Sequence, residues 1–268
     1  MTSARADSET VLSGGRFAQP VRRGNEVHRT AGRGAGNVHA LLEHFATRGC
    51  PLTPRVRGTS ADGTHEVLSW LPGTAAVPPM TAPVRSEQAL VSVARAIRAI
   101  RTVHDAAAGF TPPPGGSWQT DTLAVPDPAE LIGHRDLGSW NILFDGPDVV
   151  GIIDWDLAGP TTRAFDLAIA AHSFVPLHPT GDLPAWGWPT EPDRAARLAA
   201  FAAAYGTDVT AAQILDALLV HLTATAGYQA AHLRDHDPAW AVHADEDHPA
   251  GYRAAARYLI DHYDTLTA

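Results

Sequence analysis

The residues best suited to chemistry lie in two short runs between positions 133 and 156. The first is Gly133-His134-Arg135-Asp136-Leu137-Gly138-Ser139-Trp140-Asn141-Ile142-Leu143-Phe144, and the second is Val150-Gly151-Ile152-Ile153-Asp154-Trp155-Asp156. A carboxylate at Asp136 can take the proton of a hydroxyl or hold that hydroxyl in line for attack. Asn141 offers a neutral carbonyl oxygen and Asp154 an anionic one. Hard oxygens of this kind suit Mg2+, which one or two carboxylates hold together with phosphate oxygens. Four residues separate Asp136 from Asn141, so the loop can curl and bring base and ligand together. The chemistry such a set can serve is phosphoryl transfer, which asks for an oriented acceptor and a cation on the phosphate oxygens rather than for covalent help.

These side chains need elements that fix them. Ile142-Leu143-Phe144, a turn at Asp145-Gly146-Pro147 and the run from Val149 to Ile153 predict a β-hairpin that returns Asp154 to the side of Asn141. Apolar residues before each Asp anchor it at a strand end, which fixes geometry better than a free loop. Upstream, Val11-Leu12, Val21, Val27, Arg55-Val56-Arg57 and the run from His65 to Trp70 are short strand candidates. One helix over 37–47 puts Val38, Leu41, Leu42 and Phe45 on a single face. Leu71-Pro72-Gly73 breaks the pattern. Beyond it, Ser86 can cap a long helix with the stripe Leu90, Val93, Ala94, Ile97, Ile100 and Val103. Everything from Phe165 onward reads as helix, most clearly Ala195 to Tyr205, Ala211 to Ala226 and Tyr252 to Tyr263. The expectation is an α/β (α+β) chain of two lobes: a β-rich lobe over 1–72, with 1–9 a frayed tail, and a larger helical lobe over 73–268.

Composition narrows the function classes. The 268 residues are 45% hydrophobic and 18% charged, which reads as globular, and no run of 18 apolar residues offers a membrane span. The first nine residues lack an apolar leader segment, so the cytoplasm is the expected compartment. A formal charge of -9 argues against a nucleic-acid partner, which needs a basic face. It suits a cationic small molecule, and plain solubility equally. There is no lysine: all 20 basic side chains are arginine, so any step that wants a lysine falls to arginine. The lone Cys50 allows no internal disulfide and reads as a loop or core thiol.

Three motifs together carry a resemblance. His134-x-Asp136 with Asn141 five positions on, the Ile152-Ile153-Asp154-Trp155-Asp156 run, and Arg163-Ala164-Phe165-Asp166-Leu167-Ala168 resemble the catalytic loop, metal segment and following helix start of the aminoglycoside phosphotransferases. The resemblance to this kinase-like small-molecule phosphotransferase family extends from about Val11 to the last helices. It implies a protein-kinase-like two-lobed fold that uses ATP or GTP with Mg2+, Asp136 as catalytic residue, and Asn141 and Asp154 as metal ligands. It implies that His134 holds the loop, and that Asp166 caps its helix and braces the loop. Asp156 either touches a second metal or hydrogen-bonds the loop backbone. Leu12 to Phe17 resembles the family's nucleotide loop, where Gly14 and Gly15 would let backbone N–H groups approach phosphate. Arg29 stands where the family has a lysine gripping the α- and β-phosphates. The helix glutamate that pairs with that lysine is expected near Val38 or His39, and Glu43 falls a turn too late. Either Glu43 substitutes through a register shift or that ion pair is absent. Backbone groups around Ser69 and Leu71 would meet the adenine edge.

For the acceptor, Asp235, Asp237, Asp245, Glu246 and Asp247 around Trp240 can hold an amine-rich molecule or form a solvated acidic loop. Trp186 and Trp188 lie in a Pro-rich loop that either walls the site or merely packs. His232 and His236 have a zinc-like spacing, yet 14 histidines make chance pairs common. The implied activity is O-phosphorylation of a small-molecule hydroxyl, on an aminoglycoside-like antibiotic or a metabolite. The alternative is a catalytically weak relative that binds a small molecule or peptide and serves in immunity. A protein kinase is disfavoured, because about ten residues between Asp154 and the Asp-Leu-Ala helix leave no room for a long activation loop.

Overall fold

Short alternating runs near the N-terminus pair as their spacing predicts. The computed structural model describes residues 9–12, 20–105, 110–119, 128–234 and 248–268. Strands β1 (Glu9–Val11), β2 (Val21–Arg23), β3 (Glu26–Thr30), β4 (Val56–Thr59) and β5 (His65–Ser69) form an antiparallel sheet in the order β1-β2-β3-β5-β4. The β3–β5 register sets Val27 opposite Leu68 and Arg29 opposite Glu66. Directly opposed residues share a face, so Glu66 points the same way as its buried neighbour Leu68 and meets Arg29 there. Helix α1 (Ala35–Thr47) buries Val38, Leu41, Leu42 and Phe45, the face its periodicity predicts.

Strand β6 (Thr74–Ala75) pairs with β8 (Ile142–Asp145), and β8 forms the expected hairpin with β9 (Asp148–Ile152). Gly146 takes φ 59° in the turn, a conformation that side chains with a Cβ avoid. After the short α2 (Ala82–Arg85), α3 (Glu87–Asp105) starts where the Ser86 hydroxyl accepts the Ala89 N–H at 3.1 Å. Strand β7 (Leu131–Gly133) pairs with β10 (Gly159–Thr161), so the two ends of the reactive segment are clamped together. Helix α4 (Arg163–Phe174) is capped by Thr162, whose hydroxyl accepts the Phe165 N–H at 3.3 Å. It runs through the core with nine residues buried. Helices α5 (Arg194–Tyr205), α6 (Ala211–Arg234) and α7 (His248–Thr267) follow. One continuous apolar cluster joins Leu41 of α1, Leu90 and Val93 of α3, Ile142 and Ile152 of the hairpin, Leu167 of α4 and Leu215 of α6. The hairpin is therefore seated on a packed base rather than on a loop.

The chain is α+β, with a sheet-rich part and a helical part. One expectation fails: residues 175–193 are not helix. Pro176, Pro179, Pro184, Pro189 and Pro192 remove ladder donors there, and Thr180–Asp182 makes only a 3-10 turn. Strands β6 and β10 and helix α2 are additions to the sequence reading. No helix among the described residues is long and apolar enough to cross a membrane.

Candidate active site

The loop after β7 is held from behind by Asp166. Its Oδ2 accepts the His134 N–H at 2.8 Å and an Arg101 guanidinium N–H at 2.7 Å, while Oδ1 accepts the Arg135 N–H at 2.9 Å. Asp166 is buried, and Gly133 must be glycine because a Cβ there would strike its carboxylate. So Asp166 braces the loop as expected, whereas the cap of α4 is Thr162.

Two residues of this region have positive φ: Arg135 at 66° and Asp154 at 62°. Such conformations cost a non-glycine residue of order 1 kcal/mol or more and persist only where the surroundings impose them. His134 supplies that constraint. Its Nε2 meets the Ile153 carbonyl at 2.8 Å and its Nδ1 accepts the Asp136 N–H at 3.2 Å. A carbonyl can only accept, so Nε2 carries the proton and the ring is neutral. Burial holds the imidazole below its ordinary pKa, against the Ile153 carbonyl and the nearby carboxylates. The ring packs on Trp155 at 4.6 Å between centroids, and Trp155 in turn donates Nε1–H to the Ile152 carbonyl at 2.9 Å.

Asp136 and Asn141 meet directly. Asn141 Nδ2 donates to the Asp136 backbone carbonyl at 2.9 Å and to Asp136 Oδ2 at 3.0 Å. Both donors of that amide are thereby turned toward Asp136, which leaves its carbonyl oxygen for a different partner. The Asn141 backbone carbonyl accepts the Ile153 N–H at 2.9 Å, so Asn141 and Asp154 sit side by side across the hairpin. The Asp154 side chain is 42% exposed, so it is accessible to a ligand.

From the opposite side, Arg29 reaches across from β3. Its Nη1 donates to Asp154 Oδ1 at 3.1 Å, its Nη2 to Asp156 Oδ1, and its Nε to Glu66 Oε1 at 2.6 Å. Burial works against the guanidinium charge, but Asp156, Glu66 and Asp154 outweigh it and raise the Arg29 pKa. Burial pushes the Asp156 carboxyl up despite Arg29. Burial also pushes Glu66 up, yet the hydrogen bond with His39 and the charge of Arg29 win, and its pKa is lowered. His39 Nε2 bonds the second Glu66 oxygen. Arg29 therefore pairs not with Glu43, which is exposed, but with Glu66 on β5, alongside Asp154 and Asp156. A signal was available: strand alternation places Glu66 on the face of Leu68, and a charge on a buried face needs a counterion.

The remaining expected residues are spread differently. Ser69 lies at the end of β5 with its N–H on the Arg55 carbonyl at 2.8 Å and its hydroxyl accepting the Arg55 N–H at 2.9 Å. Leu71 packs over Gly151 of β9. Gly14 and Gly15 lie outside the described residues, as do His236 and the acidic group Asp235, Asp237, Asp245, Glu246 and Asp247 with Trp240. His232 is satisfied within its own helix by the Tyr228 carbonyl at 2.9 Å. Trp188 is buried and Trp186 stacks on His178 at 3.9 Å, so both serve packing. Cys50 is a buried core thiol whose pKa burial raises.

The segment that holds this constellation can be compared with known proteins, and a family model described as the phosphotransferase enzyme family matches it. The match spans residues 116–218. The chain is also similar to the trifolitoxin immunity protein of Rhizobium leguminosarum bv. trifolii, 34% identical over 167 residues. That likeness covers 61% of this chain, and the chain spans 61% of the length of that relative. Two solved structures share the fold. The GDP complex of wild-type aminoglycoside 2'-phosphotransferase-IIIa is 13% identical, with 94% of each chain covered and a TM-score of 0.58. The Plasmodium vivax ethanolamine kinase is 11% identical, with 95% of this chain and 83% of the other covered and a TM-score of 0.59. The kinase-like fold and the resemblance read from the phosphotransferase motifs thus both hold.

Proposed function

We propose that this chain is a phosphotransferase that uses ATP, or GTP, with Mg2+ to phosphorylate a hydroxyl of a small molecule. The observation that carries this reading is the contact of the Asp136 carboxylate with the Asn141 amide at 3.0 Å, with Asp154 beside Asn141 and bridged to Arg29. A base, two oxygen donors and a phosphate-binding cation then share one cleft.

The side chains fit the cation. The Asn141 carbonyl oxygen and the exposed Asp154 carboxylate are the hard donors that Mg2+ prefers. When bound, Mg2+ would neutralise the oxygens of the β- and γ-phosphates. The remaining work belongs to the protein. Asp136 takes the acceptor's proton as the acceptor oxygen bonds to the γ-phosphorus and the bond from that phosphorus to the β-phosphate oxygen breaks. The Asn141 amide holds Asp136 in place, and His134 fixes the loop. Arg29 turns its two Nη groups to the α- and β-phosphates, and by the family resemblance Gly14 and Gly15 would belong to the loop that binds phosphate. Backbone groups near Ser69 and Leu71 take the base. In this reading residues 1–72 form the nucleotide-binding lobe, residues 73–268 bring the catalytic loop and the acceptor site, and the chain works in the cytoplasm, where nucleotide is supplied. The charge of -9 is compatible with a cationic acceptor, such as an amino sugar or amino alcohol, as it is with plain solubility.

A second reading is favoured by the immunity protein that matches at 34% identity: a weak or silent relative that binds a small molecule or peptide and protects by sequestration. Screening hydroxylated amines, sugars and nucleosides for γ-phosphate transfer separates the two. Transfer by the wild type that is lost in Asp136→Ala supports the enzyme. Equal and negligible transfer by both proteins favours the binder.

A further inference from the structure

We propose that Glu66, supplied by β5, is the positioning residue that aims Arg29 at the nucleotide phosphates, and that His39 carries helix α1 into the same arrangement. This rests on the nucleotide-binding reading above. The geometry explains why the carboxylate comes from a strand. A lysine presents a single charge at the tip of its stem, within reach of a helix carboxylate. A guanidinium is a flat fork, and it can be gripped at one edge while the other edge stays available. Glu66 lies directly across the β3–β5 ladder from Arg29 and takes the Nε edge at 2.6 Å. Nη1 and Nη2 are then turned to Asp154 and Asp156, which is where a metal-bound triphosphate would lie. The helix position nearest the pair holds His39 rather than an acid, and its ring bonds the other Glu66 oxygen. The Glu66 side chain is only 2% exposed, so Arg29 and His39 together answer its charge and join the sheet, the helix and the pair Asp154 and Asp156.

The test is calorimetric titration of the full chain with Mg–ATP and, separately, with adenosine, alongside thermal melts. Glu66→Gln is expected to weaken Mg–ATP about tenfold, the scale of one charge-assisted hydrogen bond, and to leave adenosine unchanged because adenosine has no phosphate for Arg29 to meet. His39→Leu should weaken Mg–ATP several-fold, His39→Gln should retain affinity through its amide donor, and the exposed Glu43→Gln should match the wild type. A purely structural role would lower the melting temperature and spare the phosphate-specific loss. Mg–ATP affinity of Glu66→Gln within about twofold of wild type, or equal losses of ATP and adenosine, overturns the proposal. If Glu66→Gln does not fold, the two His39 variants decide, and equal affinities for them overturn it. A wild type that binds no Mg–ATP would remove the nucleotide reading itself, and this assignment with it.

Discussion

Lowering the pH from 7 to 5 should cost this protein much of its stability, because three histidines are buried without a place for a second proton. His172 and His178 pack with tilted rings at 4.0 Å between centroids, Trp186 stacks on His178, and His221 stands edge-on to Phe165. The Nε2 atoms of His172 and His178 and the Nδ1 of His221 are buried with no hydrogen-bond partner. Burial and the neighbouring Arg194 guanidinium push His178 down to about 3, and burial with Arg135 pushes His221 down to about 4. Burial, with His178 and His221 beside it, holds His172 well below 6.5. The sign follows from which state binds the proton first. Unfolded histidine titrates near 6.5, whereas these three stay neutral in the fold, so stability is complete above that pH and falls below it. At pH 5 each one costs about 1.4 kcal/mol for each of about 1.5 pH units, or about 2 kcal/mol. Together they remove about 6 kcal/mol, against a typical total of about 5–15. Urea unfolding followed by circular dichroism at pH 7, 6 and 5 checks this, and His178→Gln should reduce the loss at pH 5 by about 2 kcal/mol. A loss below about 1 kcal/mol between pH 7 and 5 would refute the buried-neutral account.

Other outcomes are as specific. Asp166→Asn should cost about 3–5 kcal/mol in chemical denaturation, since it leaves the buried Arg101 without its counterion at 2.7 Å; a change under about 1 kcal/mol would contradict the brace. Asp154→Gly should abolish Mg2+-dependent nucleotide binding while holding or raising the melting temperature, because glycine relieves the φ of 62° and the exposed ion pair contributes little; a large fall in melting temperature would show that the strain argument is wrong. Ser86→Ala should destabilise by about 1 kcal/mol through loss of the α3 cap, with Ser86→Gly closer to wild type in the same melts.

The parts of the site that were legible in sequence are those set by local spacing. Asp136, Asn141 and the hairpin to Asp154 lie within 19 residues, so chain geometry alone brings them together. The faces of α1 and α3 were legible because helical periodicity is also local. Glu66 was not, because its partner stands 37 residues away and only the strand register joins them. The hold of Asp166 on Arg101 spans 65 residues and needs α3 and α4 packed together. Strand β10, Gly159-Pro160-Thr161, has little strand propensity of its own and exists because β7 pairs with it. The prolines between 175 and 193 were visible and mark the Pro-rich loop around Trp186 and Trp188 that the broad helical reading from Phe165 onward overran.

The most direct test of the central claim is the ATP affinity of wild type and Asp154→Ala, each titrated with millimolar Mg2+ and with EDTA. If Asn141 and Asp154 hold the cation that carries the nucleotide, wild type binds ATP at least about tenfold tighter with Mg2+, and that advantage vanishes in Asp154→Ala. An ATP affinity that is the same in all four titrations would contradict it.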